Sequence, residues 1–85
     1  MQYPCFCCGF LTLTEEPPGT FNICPVCRWE DDNVQARDPD YAGGANKLSL
    51  RQARESFRRS GVSDPAHAKH ARPPQEHEIP KPTDS

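Results

Sequence analysis

Five cysteines, Cys5, Cys7, Cys8, Cys24 and Cys27, are the residues of this 85-residue chain best suited to chemistry. They form two C-x-x-C pairs, Cys5-Phe6-Cys7-Cys8 and Cys24-Pro25-Val26-Cys27, with fifteen residues between Cys8 and Cys24. That spacing is the one a structural zinc site uses. Two residues between cysteines let a tight turn aim both sulfurs at one point. Four sulfurs then close around zinc as a tetrahedron at about 2.3 Å. Cys5, Cys8, Cys24 and Cys27 are therefore the expected ligands of one structural Zn2+. Iron also accepts four thiolates, and spacing does not separate the two metals. Gly9 after Cys8 permits the positive φ that a chain leaving such a turn needs, and Pro25 pre-sets φ early in the second turn.

Cys5 and Cys8 reproduce the two-residue gap, which leaves Cys7 as the spare thiol, with an exchange in which it ligates in place of Cys8 as the alternative. A nucleophilic role needs a nearby base and an electropositive pocket. No histidine lies near it in sequence. A small half-buried thiol is the simpler reading, with a thiol enzyme using Cys7 as the alternative. Disulfides fit poorly with an odd cysteine count and with an N-terminus, Met1-Gln2-Tyr3-Pro4, that lacks the basic start and apolar stretch of a secretory signal. A cytoplasmic location is expected. A redox C-x-x-C would want a βαβ setting that the chain is too short to supply.

The elements that position these thiols must be small. Hydrophobic residues make up 34% of the chain and prolines number ten. Below roughly 70–80 residues an apolar core alone seldom gives more than about 3–5 kcal/mol, so a metal is the natural staple. No stretch of about 18 apolar residues exists to cross a membrane. A formal net charge of −2 leaves no general attraction for nucleic acid. Phe10-Leu11-Thr12-Leu13-Thr14 and Phe21-Asn22-Ile23 alternate as strands do, and Pro18-Gly19 between them suits a type II turn. They are expected to pair as a β-hairpin joining the two metal-binding turns.

Past Cys27, the acidic residues Glu30, Asp31, Asp32, Asp38 and Asp40 lie between Trp29 and Tyr41. Asp38 before Pro39 reads as a helix N-cap. Trp29 reads as a lid on the small core, and the carboxylates as a solvated face open to a basic partner. The segment lacks the D-x-[DN]-x-[DN]-G frame of a calcium loop. A helix is expected over about 49–60. Ser49 and Gln52 form a capping box, Leu48 and Ala53 a hydrophobic staple, and Gly61 a stop. Leu50, Ala53 and Phe57 share its inner face. Arg51, Arg54 and Arg58 line a stripe with Arg59 beside it, and Arg51 stands four residues before Glu55. From 63 to 85 the chain is proline-rich and nearly without apolar residues, and is expected to be an extended or disordered tail. His67 and His70 are read as tail residues rather than ligands, and Arg72-Pro73-Pro74 suits a groove.

Together Cys5-Phe6-Cys7-Cys8-Gly9, Cys24-Pro25-Val26-Cys27, Trp29-Glu30-Asp31-Asp32, Asp38-Pro39-Asp40-Tyr41 and Gly43-Gly44-Ala45-Asn46 with Ser49-Leu50 resemble the small bacterial cysteine-rich family named for its CPCC motif. The likeness covers roughly residues 3–60. Phe6 replaces the proline of the family's name, and Arg28 stands where an aromatic residue is frequent. The resemblance implies a zinc-ribbon-like unit with a C-terminal helix and implies no particular activity.

The expected protein is thus a small metal-stabilised α+β fold. A zinc-ribbon-like hairpin with two zinc knuckles and one helix fills 1–62, and a tail fills 63–85. It is expected to be a non-enzymatic protein-binding module, conceivably an immunity-type inhibitor of a basic toxin, using Trp29, Glu30, Asp31, Asp32, Asp38, Asp40 and Tyr41. The alternative is a nucleic-acid-binding ribbon using Arg51, Arg54, Arg58 and Arg59.

Overall fold

A computed structural model describes residues 2–80. Both C-x-x-C segments fold into the same turn. Gly9 N–H donates to Cys5 C=O (2.8 Å) and Cys5 N–H to Phe10 C=O (2.9 Å). In the second turn Arg28 N–H donates to Cys24 C=O (2.8 Å) and Cys24 N–H to Trp29 C=O (2.9 Å). Each turn reverses the chain onto itself, and this decides the strand pairing. β1 (Tyr3–Pro4) pairs antiparallel with β2 (Leu11–Leu13), with Tyr3 opposite Leu13 and Pro4 opposite Leu11. Ile23 bridges to Glu30 across the second turn.

The expected ladder between Phe10–Thr14 and Phe21–Ile23 is therefore not the one formed. The hydrogen bonds that close each cysteine turn carry the chain directly into antiparallel pairing across that turn, so each strand meets the far side of its own turn.

α1 (Asn33–Arg37) begins where Asp32 accepts hydrogen bonds from Val34 N–H and Gln35 N–H. Asp38 closes this helix and starts the short turn expected after it, accepting from Asp40 N–H through its carboxylate (3.2 Å) and from Tyr41 N–H through its carbonyl (3.0 Å). α2 (Leu50–Ser60) carries the expected capping box, with Ser49 bonded to Gln52 N–H and Gln52 to Ser49 N–H, and stops at Gly61 in a left-handed conformation. Its inner face delivers Leu50 and Ala53 to the core, and Phe57 meets Phe10 edge to face with centroids 6.0 Å apart.

The core forms around sulfur. Of the eight buried members of the central cluster, Cys5, Cys7, Cys24 and Cys27 are four, joined by Val26, Trp29, Leu50 and Ala53. So little hydrocarbon explains why a cross-link at the sulfurs matters.

The segment beyond residue 62 is seated on this core. Val62 and Ser63 are buried, and Ser63 N–H donates to Cys27 C=O (2.7 Å). Pro65–His70 and Glu76–Glu78 are 3-10 turns. Between them Arg72, Pro73 and Pro74 lie over Phe10, Val26 and Phe57 around a cleft of about 370 Å3. Glu78 is buried and bonded twice to Arg72, at 2.8 Å each. The segment expected as an extended or disordered tail is extended between two 3-10 turns and held to the core through residue 80, and residues 81–85 of it lie outside the described part. Its anchor is charge pairing and backbone hydrogen bonding, which low hydrophobicity does not reveal.

Candidate metal centre

The two turns place Cys5, Cys8, Cys24 and Cys27 with all four sulfurs within 4.8 Å of one another. Cys5 and Cys27 sulfurs are 3.6 Å apart, and Cys8 and Cys24 sulfurs 3.7 Å. Four sulfurs at about 2.3 Å from one ion stand about 3.8 Å apart along each tetrahedral edge, so the set fits a tetrathiolate metal. The same separations are far beyond the roughly 2.05 Å of a disulfide. Cys5, Cys24 and Cys27 are buried and Cys8 is half-buried.

Neighbouring groups support the sulfurs. Cys7 N–H points to the Cys5 sulfur (3.4 Å), and the Thr12 hydroxyl lies 3.0 Å from that of Cys24. Hydrogen bonds to a thiolate favour its charged form. The hydrogen bond from Cys27 pushes the Cys24 thiol far below its ordinary range, and Cys27 is correspondingly pushed up by donating to Cys24. Such sharing of protons among crowded thiols is relieved when a divalent ion replaces them.

Cys7 is buried but outside the quartet. It lines a cleft of about 520 Å3 with Cys8, Pro39, Arg51, Arg54, Phe57 and Arg58.

The acidic surface divides. Trp29 is buried in the core cluster, as its reading as a lid expects and its place among the partner-binding residues does not, and Asp31 and Asp32 are interior, which corrects their expected place on an open recognition face. Asp31 accepts from Thr20 N–H (2.9 Å) and its hydroxyl (2.7 Å). Asp32 caps α1 and accepts from Ala45 N–H at 2.8 Å. Burial opposes ionisation of Asp32, but the amides of Ala45, Gln35 and Val34 outweigh it and hold the carboxyl below its usual range. Glu30 is half-buried, while Asp38, Asp40 and Tyr41 are exposed.

The arginine stripe is largely engaged. Arg51 pairs with Asp40 (2.5 Å) rather than with Glu55, which instead holds Arg58 and Arg59. Arg54 donates to Phe6 C=O at 2.8 Å.

One structural residue escaped the sequence reading. Gln35 is fully buried, and its amide nitrogen donates to the carbonyls of Tyr41, Asn46 and Leu48 at 3.0–3.1 Å. Its oxygen accepts from Asn46 N–H (3.1 Å) and the Asn46 side chain (2.9 Å). Asn46 in turn bonds Glu30 N–H (2.9 Å) and Glu30 C=O (2.7 Å). This network ties the 41–48 loop to the second metal-binding turn.

Fold and site define a small protein built on a four-cysteine metal centre. The family model of the cysteine-rich CPCC proteins matches residues 3–78, and the chain belongs to that family. A comparison with curated proteins finds no match. Among the described residues no helix is long and apolar enough to cross a membrane.

Proposed function

We propose that this chain is a zinc-ribbon-like module, its two C-x-x-C turns acting as zinc knuckles, which works by binding another protein and not by catalysis. The observation that carries the reading is the closed donor set: four cysteine sulfurs within 4.8 Å of one another. They fill every position of a tetrahedral ion and leave none for water or substrate. The ion is then structural and zinc the metal that suits it. A reducing compartment such as the cytoplasm keeps the four thiols available.

The partner we propose is a basic protein, of the kind an immunity-type inhibitor blocks. Support comes from Asp38, Asp40 and Tyr41, which stand exposed, with Glu30 half-exposed. Asp40's ion pair with Arg51 does not remove it from use. Both side chains are about 70% exposed, and such surface pairs are worth only about 0–1 kcal/mol. A cation on the partner can take Arg51's place. The same reasoning leaves Arg51, Arg58 and Arg59 usable, since their pairs are exposed too, and the nucleic-acid reading is disfavoured by the net charge of −2 instead.

The test is capture of partners on the zinc-loaded full chain, repeated with Asp38→Lys and Asp40→Lys. A basic partner lost on charge reversal and weakened by salt is expected. A partner held equally by both forms, or none at all, removes the proposal.

A further inference from the structure

The two metal-binding turns share one hydrogen-bond pattern yet differ at the residue that leaves them. In the first turn that residue is Gly9, at φ 82; in the second it is Arg28, at φ 72. The left-handed region suits glycine and strains a residue with a Cβ. Arg28 is one of two non-glycine residues at positive φ among the described residues, with Phe21 at φ 59, and the turn itself does not require its side chain.

Arg28 opens onto a cleft of about 170 Å3 that it shares with Lys47, His67, His70, Glu30 and Ile23. His67 and His70 belong to one 3-10 turn, in which residues three apart lie one above the other. The floor is rigid: Ala45 N–H is held by Asp32, and Asn46 by Gln35 and Glu30. Arg51, Arg58, Arg59 and Arg72 each have a carboxylate partner. The side chains of Arg28, Lys47, His67 and His70 make no hydrogen bond or ion pair with the described residues.

We propose that this cleft binds a phosphate group. Two fixed positive charges line it against the single carboxylate of Glu30, and two imidazoles add donors. Guanidinium and ammonium groups recognise phosphate through charge-assisted hydrogen bonds, and the several acceptor oxygens of phosphate match donors converging from four side chains better than the two of a carboxylate do. At about 30 Å3 per water, the cleft has room for a phosphate group and a few atoms of what carries it. The inference is independent of the partner proposed above, which would use Asp38 and Asp40.

The experiment is a phosphate titration of the zinc-loaded, 15N-labelled full chain followed by amide chemical shifts. Saturable shifts confined to the amides of residues 23–30, 45–47 and 66–71 are expected. Arg28→Gly keeps the turn, because Gly9 already occupies the matching position, and is expected to weaken binding about tenfold or more, one charge-assisted contact being lost. Lys47→Ala, at an exposed loop residue, gives the same loss without touching the turn. Glycerol phosphate and a phosphoserine peptide form two further arms. Tighter binding of the first points to a small phosphorylated molecule and of the second to a phosphorylated protein, and either supports the site. The proposal is overturned by an absence of saturable shifts, by acetate binding as well as phosphate, or by both variants keeping the affinity of the parent.

Discussion

Replacing Gln35 by alanine should loosen one half of the molecule while leaving the metal in place. The side chain is fully buried; its two amide hydrogens are shared among the carbonyls of Tyr41, Asn46 and Leu48, and its oxygen accepts two hydrogen bonds from Asn46. A typical intramolecular hydrogen bond contributes about 1 kcal/mol net, which sets a ceiling of about 4 kcal/mol. Tyr41 and its neighbours through Ala45 are exposed, so water can reach part of what is released. We therefore expect a loss of about 3–4 kcal/mol, with the truncation cavity included. Urea unfolding at a fixed, buffered free-zinc concentration measures it, since metal binding contributes to apparent stability by mass action. Hydrogen exchange should locate the loss in residues 41–48, and metal content should stay at that of the parent. A change below about 1 kcal/mol, or loss of the metal with the loop intact, would refute the assignment of Gln35 as the loop's anchor.

Other perturbations separate the remaining parts of the structure. Gly44→Ala would set a Cβ 2.7 Å from Asp32 Oδ2 and 3.0 Å from Gln35 Cδ, both fixed by their own hydrogen bonds. It should cost about 1–3 kcal/mol in the same denaturation assay. The Arg72 guanidinium beside Glu78, working against burial, lowers the Glu78 carboxyl from 4.5 to about 2. Its folded value lies below its unfolded one, so the stability it adds is complete above about pH 4.5 and is lost as pH falls towards about 2. The stability difference between the parent and Glu78→Gln should hold steady near about pH 6 and shrink below about pH 4.5. Cys7→Ser should retain one metal per chain by mass spectrometry and cost about 1 kcal/mol, while Cys24→Ser should lose the metal.

What the sequence disclosed and what it hid follow the range of each signal. The ligand quartet, the capping box at Ser49 and Gln52, and the stop at Gly61 depend on residues a few positions apart, and all are where spacing puts them. Strand alternation in Leu11–Leu13 marks a strand without naming its partner, and the turn at Cys5–Cys8 supplied Tyr3–Pro4. Asp31 and Asp32 resembled a solvated face because carboxylates seldom go inside unless paired, and their partners, Thr20 and Ala45, lie eleven and thirteen residues away. Gln35 carried no local mark at all, since its role exists only once the 41–48 loop folds over it. The strap beyond Val62 was hidden by composition, its hold on the core resting on Arg72 with Glu78 and on Ser63 with Cys27. The left-handed backbone of Arg28 and the cleft before it emerge only in three dimensions.

Native mass spectrometry of the full chain, paired with amide spectra before and after a strong chelator, probes the heart of this account. One zinc ion per chain and collapse of the dispersed spectrum when the ion is withdrawn are the predicted results. A chain that flies without metal, or whose spectrum stays dispersed in the chelator, would contradict it.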